Sequence, residues 1–224
     1  GYDSAGVALT EAGGGVEVCK REGKIDDLRG ALEGRSPSGS VGVGHTRWST
    51  HGPPTDTNAH PHRDCSGDVA VVHNGIIENY QSLRDELVRA GHTFDSDTDT
   101  EVVPHLIEDG LEQGLDPEAA FREALSRVEG SFAVAAVVAG TEAIFAARSD
   151  SPLVLGIDDD ALYLASDVPA FRDFTDRVVY LADGEFARLD DDWTVTDADG
   201  TVLEKSVDTV DWDPEETGKS GYDH

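Results

Sequence analysis

The run Gly44-His45-Thr46-Arg47-Trp48-Ser49-Thr50-His51-Gly52 is the densest group of chemically capable side chains in this 224-residue sequence. An arginine here offers a planar, permanently charged fork that grips a carboxylate through two parallel N–H···O bonds, and the neighbouring tryptophan can wall that pair off from water. A second run, Val71-Val72-His73-Asn74-Gly75-Ile76-Ile77-Glu78-Asn79, sets a side-chain amide next to a glycine. The Asn74 N–H₂ and the Gly75 backbone N–H can both aim at one developing oxyanion, because glycine lets that oxygen approach the backbone. The competing reading is an ordinary Asn-Gly hairpin turn. In the third run, Asp95-Ser96-Asp97-Thr98-Asp99-Thr100-Glu101, acidic residues precede a helical pattern. This suits an N-cap with a negatively charged first turn, and equally a carboxylate that binds an ammonium group.

Five histidines, at 45, 51, 60, 62 and 73, fall close together. None forms a His-Glu-x-x-His pair, and Cys19 and Cys65 show no metal spacing, so no metal site is expected. Two cysteines are also too few for a disulfide framework, which fits a reducing compartment.

These side chains need a scaffold, and the hydrophobic periods supply one. Strand-like runs over 5–11, 16–21, 41–48 and 69–77 are bounded by Gly, Pro, Ser and Asp clusters. The period then changes to helical over 79–90, 99–111 and 117–128. Strand patterns return over 132–139, 143–147, 153–157, 161–165, 178–182, 185–189 and 194–197. Strands, a helical block and strands again predict an α+β fold with two antiparallel sheets and helices packed outside them. After residue 207 the apolar pattern stops, so 208–224 reads as a linker.

Composition excludes several function classes. Forty-six acidic residues oppose 17 basic ones, a formal net charge of −29, and no basic stripe exists with which to neutralise phosphates. Nucleic acid and anionic membranes are therefore excluded as partners, and no apolar run is long enough for a membrane span. The excess is mostly Asp and runs through the whole chain, the pattern of a surface suited to high salt. The expected compartment is the cytoplasm. The absence of any Met suggests a piece of a longer protein.

Five motifs occur in a set order: Gly1-Tyr2-Asp3-Ser4-Ala5-Gly6, His45 to Gly52, Asn58-Ala59-His60-Pro61-His62, His73 to Asn79, and Thr98-Asp99-Thr100-Glu101. Ala147-Arg148-Ser149-Asp150-Ser151-Pro152-Leu153 and Ala165-Ser166-Asp167 follow them. In these motifs the chain resembles the glutaminase domain of the glutamine–fructose-6-phosphate aminotransferase (isomerising) family, the glucosamine-6-phosphate synthases. The resemblance implies a four-layer αββα sandwich of N-terminal-nucleophile hydrolase type, in which an N-terminal Cys attacks the glutamine amide with its own α-amino group as base. It further implies that Arg47 clamps the glutamine α-carboxylate and Asp99 accepts its α-amino group. Asn74 and Gly75 form the oxyanion hole, Thr50 and His51 are further glutamine contacts, and Trp48 gates the passage of ammonia. An amino acid amide needs one cation, one anion and one oxyanion site, and the three runs offer them separately.

The resemblance names L-glutamine and fructose 6-phosphate as substrates, no cofactor, and a homodimer of the full-length protein. The family's opening Cys-Gly-Ile-Val-Gly segment is missing from the chain, as are its sugar-isomerase domains. The expectation is a glutaminase body over 1–207 without its nucleophile, and over 208–224 the start of a linker. The alternatives are a glutaminase serving another acceptor, such as a phosphoribosyl amidotransferase, and an inactive glutamine-binding fragment.

Overall fold

The computed structural model describes residues 3–11, 13–35, 39–48 and 52–211. In chain order the elements are β1 (Ser4–Glu11), β2 (Gly15–Glu22), α1 (Ile25–Leu32), β3 (Gly42–Arg47), β4 (His62–Arg63) and β5 (Val69–Ile77). Helices α2 (Tyr80–Ala90), α3 (Val102–Glu112) and α4 (Pro117–Ser126) follow. The chain then returns to strands as β6 (Gly130–Val138), β7 (Ile144–Ser149), β8 (Val154–Ile157), β9 (Leu162–Ala165), β10 (Arg177–Tyr180), β11 (Phe186–Leu189), β12 (Trp193–Thr196) and β13 (Asp208–Thr209).

The layering follows from side-chain alternation. Along β6, Phe132, Val134, Ala136 and Val138 point to one face of the sheet, where they pack against Leu83 and Leu87 of α2, Val103 and Ile107 of α3 and Phe121 of α4. Ala133, Ala135 and Val137 point to the other face and meet Val43 of β3 with Leu155 and Val179 of β8 and β10. A strand buried on both faces reads as a continuous apolar run, and the alanine-rich face lets a second sheet approach closely.

The central sheet has six antiparallel strands in the order β12-β11-β7-β6-β5-β4. The second layer is made of two sheets, β2-β1-β3 and β13-β10-β8-β9. Helix α1 covers the outside of the first through Leu28 against Ala5 and Cys19. The segment carrying Val168 and Phe171 covers the outside of the second. Helices, sheet, sheets, helix: this is the expected αββα sandwich, with its second sheet layer in two parts. The edge strands of those two parts, β3 and β9, flank a cleft of about 620 Å³ whose floor includes Val72, Asn74, Ala133 and Ala135.

Local rules account for several boundaries. Helix α4 opens with Asp116 accepting the Ala119 N–H (3.0 Å) and with Pro in its first turn. Helix α2 ends at Gly91, held at φ +110° where a side chain would be strained. Two expectations need correction. Helix α1 gave no periodic signal, since two turns with a glycine inside carry little pattern. A linker is expected from Asp208, but the fold still holds that stretch: Asp208 and Thr209 pair with Val178 and Arg177 of β10, and Val210 N–H donates to the Asp176 carbonyl.

Among the described residues no helix is long and apolar enough to cross a membrane. Acidic side chains crowd the surface, as at Asp190, Asp191 and Asp192, all exposed. Molar salt shortens the screening length from about 10 Å at 0.1 M to about 3 Å, which removes their mutual repulsion. The thermal unfolding midpoint is expected to rise steadily from dilute buffer to molar KCl; a midpoint indifferent to salt would contradict the high-salt reading.

Candidate functional site

Four separate segments, His60 before β4 among them, converge on a small cavity of about 220 Å³. Its wall includes Arg47 and Trp48 from the end of β3, Asn74 and Gly75 from β5, and Asp99 from the loop before α3. Pockets for drug-sized ligands run to about 300–1,000 Å³, so this one suits something the size of an amino acid.

Asn74-Gly75 is no hairpin turn. Both residues lie inside β5, paired with Ala133 and Phe132 of β6. Gly75 has φ +130°, and a Cβ there would fall 2.0 Å from the Ser131 carbonyl oxygen, so the close approach of β6 demands glycine. Asn74 shares the face of Ala70 and Val72 and looks into the cleft between the sheets. Its Oδ1 accepts a hydrogen bond from His45 Nε2 (2.8 Å), and its Nδ2 donates to Ser166 Oγ (2.6 Å). Burial lowers the His45 pKa, which keeps the ring neutral with its proton on Nε2 in this pairing. His45 therefore fixes which way the Asn74 amide faces. It also stacks on His60, with ring centroids 4.4 Å apart.

Arg47 is 4% exposed and donates to the carbonyls of Gly52 (3.3 Å) and Pro53 (3.4 Å). Burial pulls its pKa down, and the carboxylates of Asp3 and Asp99 oppose the change. An arginine stays charged under any such shift, so the cavity holds a buried cation near a buried anion. Asp99 is 5% exposed, and its Oδ2 accepts the Ile77 N–H at 2.9 Å.

The loop that carries Asp99 is pinned on both sides. Thr98 Oγ1 bonds His62 Nε2 (3.1 Å), and Thr100 Oγ1 bonds His73 Nδ1 (2.8 Å). Glu101 stands at the N-cap of α3 without capping it. Its carboxylate reaches backwards to the N–H groups of Asp95 (2.8 Å) and Ser96 (2.7 Å). Burial would raise the Glu101 pKa, but His105, Ser96 and these backbone donors overcome it and hold it at about 2. The acidic first turn expected from sequence is thus a locked loop, with α3 beginning at Val102 rather than 99.

Of the expected site residues, Arg47, Trp48, Asn74, Gly75 and Asp99 come together; Thr50 and His51 lie outside the described residues. Trp48 is 67% exposed at the rim. His45 and Ser166 were not among the expected contacts, although both lie in the motifs quoted above. No local pattern reveals that a histidine on β3 and a serine after β9 meet one asparagine on β5.

Comparison with known proteins agrees with this geometry. The sequence model described as a glutamine amidotransferase domain matches residues 45–173. The curated glutamine–fructose-6-phosphate aminotransferase (isomerizing) of Halobacterium salinarum is 53% identical over 225 residues, covering all of this chain and 36% of its own length. That of Methanothermobacter thermautotrophicus is 48% identical over 225 residues, again over all of this chain and 38% of its own length. The chain therefore spans little more than a third of these relatives. Among solved structures, the glutamine phosphoribosylpyrophosphate amidotransferase of B. subtilis, complexed with ADP and GMP, superposes with a TM-score of 0.74 at 25% identity. It covers 90% of this chain and 44% of its own. A structure described as the allosteric regulatory enzyme of purine biosynthesis gives the same TM-score at 26% identity over 88% of this chain and 43% of its own. With a family match over more than half of its length and a sandwich shared with a solved glutamine amidotransferase, the chain belongs to the glutamine amidotransferase domain family.

Proposed function

We propose that this chain is the body of the glutaminase half of a glutamine–fructose-6-phosphate aminotransferase (isomerising), which releases ammonia from L-glutamine and passes it to fructose 6-phosphate, giving glucosamine 6-phosphate and glutamate. The observation that carries this reading is the meeting of Arg47, Asp99 and Asn74-Gly75 around one amino-acid-sized cavity. The guanidinium of Arg47 takes the α-carboxylate, and Asp99 takes the α-ammonium. The side-chain amide is then directed towards Asn74 and Gly75. When a cysteine thiolate adds to that amide carbon, Asn74 Nδ2 and the Gly75 N–H meet the oxygen as it becomes negative. As the intermediate collapses, its nitrogen takes the proton that the thiol had given to the α-amino group and leaves as ammonia, and water then hydrolyses the thioester to glutamate and the free thiol.

The cleft between β3 and β9 supports a seat for the strand that brings the cysteine. Two sheet edges border it, Val72, Ala133 and Ala135 make its floor apolar around Asn74, and His45, Thr46, His73 and Asn74 are common to the cleft and the small cavity. Thr50 and His51 add glutamine contacts, and Trp48 at the rim gates ammonia. The chemistry uses no metal or organic cofactor. The enzyme so described works as a homodimer in a salty cytoplasm, with residues after 211 leading to the isomerase domains. Identity of about half to the aminotransferases, against about a quarter to the phosphoribosylpyrophosphate amidotransferase, favours a sugar phosphate as acceptor.

Arg47→Lys in the complete enzyme tests the clamp. A lysine keeps the charge but offers a point where the carboxylate wants a planar fork. Loss of one of two charge-assisted bonds is expected to lower glutamine-dependent kcat/KM by roughly 1.5–3 kcal/mol. Synthesis from added ammonia should be largely spared. A parallel fall of both rates would make Arg47 structural and defeat the assignment.

A further inference from the structure

Apart from the residues that line the small cavity, a second polar cluster takes no part in the glutamine chemistry. It draws Cys65 from the turn between β4 and β5, His92 from the loop after α2, and His105 and Glu108 from one face of α3. One donor atom from each of the four lies within 4.8 Å of all the others. Cys65 Sγ is 3.7 Å from His92 Nδ1 and 3.6 Å from His105 Nδ1. Glu108 Oε2 is 2.9 Å from His92 Nδ1 and 3.3 Å from His105 Nδ1.

We propose that Cys65, His92, His105 and Glu108 form a four-coordinate structural site for a divalent transition metal of zinc type. A tetrahedral zinc with Zn–S of about 2.3 Å and Zn–N or Zn–O of about 2.0–2.1 Å spaces its sulfur and nitrogen donors about 3.6 Å apart, and its nitrogen and oxygen donors about 3.3 Å apart. Three of the four distances above match these spacings within about 0.1 Å, and the His92–Glu108 pair needs to open by about 0.4 Å. The donor set is chemically suitable as well. One thiolate and one carboxylate cancel a dipositive charge, and two neutral imidazoles complete the shell.

The surroundings are those of ligands held for a metal. His92 Nε2 lies 3.0 Å from Asp109 Oδ1, a partner that puts the ring proton on Nε2 and presents Nδ1 to the cluster. The Thr93 N–H points at Cys65 Sγ at 3.4 Å, and the N–H groups of Cys65 and Ser66 donate to the two oxygens of Glu108 (3.1 and 3.0 Å). The side chains of His92, His105 and Glu108 are 8%, 1% and 8% exposed. Cys65 stands open to solvent and, with Thr93, lines a surface cavity of about 630 Å³ through which an ion can enter. Four protein ligands leave no open position, so the ion's role is to staple three segments together. One of them runs directly into the loop that presents Asp99.

The test needs no enzymatic activity. The intact protein, purified without chelator or metal-affinity steps, is analysed for metal and then stripped and titrated with Co²⁺. The expected result is one equivalent bound, intense visible bands of tetrahedral Co²⁺ and a thiolate-to-cobalt charge-transfer band in the near ultraviolet. Zinc should displace the cobalt and raise the unfolding temperature. Cys65→Ser should abolish the charge-transfer band, whereas Cys19→Ser should leave it intact. Asp109→Ala keeps all four ligands and should weaken binding by about 10–100-fold. Substoichiometric metal with no tetrahedral spectrum would overturn the proposal and leave a cluster held by protons alone. A cobalt spectrum unchanged by Cys65→Ser would overturn it too, by putting the ion elsewhere.

Discussion

Replacing Asn74 with aspartate in the complete enzyme is expected to lower kcat for glutamine hydrolysis at least as much as replacing it with alanine, by a factor of about 10²–10³, roughly 2.7–4 kcal/mol. The two substitutions separate an oxyanion donor from a merely structural tether. Asparagine now accepts from His45 and donates to Ser166. Aspartate keeps the acceptor for His45, and the Ser166 hydroxyl can turn to donate to the new carboxylate. As far as the fold is concerned, aspartate is the milder change. At the reacting oxygen it is the harsher one, since it sets a negative charge against another that is forming. An Asn74→Asp enzyme with alanine-like kcat and a near-native melting temperature is the expected outcome. An active Asn74→Asp enzyme would remove Asn74 from the oxyanion hole.

The second large effect is a loss of stability in mild acid. Burial lowers the pKa of His45, and burial with like-charged neighbours pushes His60 and His62 well below the ordinary value. In the unfolded chain each titrates near 6.5. The depressed folded values mean that the unfolded state binds the extra protons, so stability is intact above about pH 6.5 and falls as the pH drops towards the folded values. Three such protons set a limiting slope of about 4 kcal/mol per pH unit. His92 has the opposite sign. Burial opposes its charge, but Asp109 and Glu108 raise its pKa overall, so its contribution is already complete below about pH 6.5. Denaturant unfolding between about pH 6.5 and pH 5, in high salt, follows the three buried rings once the His92 contribution is complete. A flat profile there would mean that they titrate alike folded and unfolded.

Much of the scaffold was legible because its signals are short-ranged. The continuous apolar run over 132–139 announces a buried strand, and Asp116-Pro117 announces the start of a helix, whatever lies elsewhere in the chain. Helix α1 escaped because eight residues hold too few repeats of any period to stand out. Where two local readings competed, local information could not choose between them. Asn-Gly suits a hairpin turn as well as a strand interior, and only the pairing of β5 with β6, whose Ser131 carbonyl leaves no room for a Cβ at residue 75, decided it. Glu101 suits the acidic first turn of a helix, yet its carboxylate turned back to Asp95 and Ser96.

By itself the sequence determined which chemical groups were present, their order in the motifs and the alternating layers able to hold them, because residue identity and hydrophobic period are properties of neighbours along the chain. Which groups meet was left to the tertiary structure. The His45–Asn74–Ser166 chain of hydrogen bonds and the gathering of Cys65, His92, His105 and Glu108 join residues tens of positions apart. Contacts of that range exist only once sheets and helices have packed, since packing alone fixes the distance and direction between side chains that the backbone does not link locally.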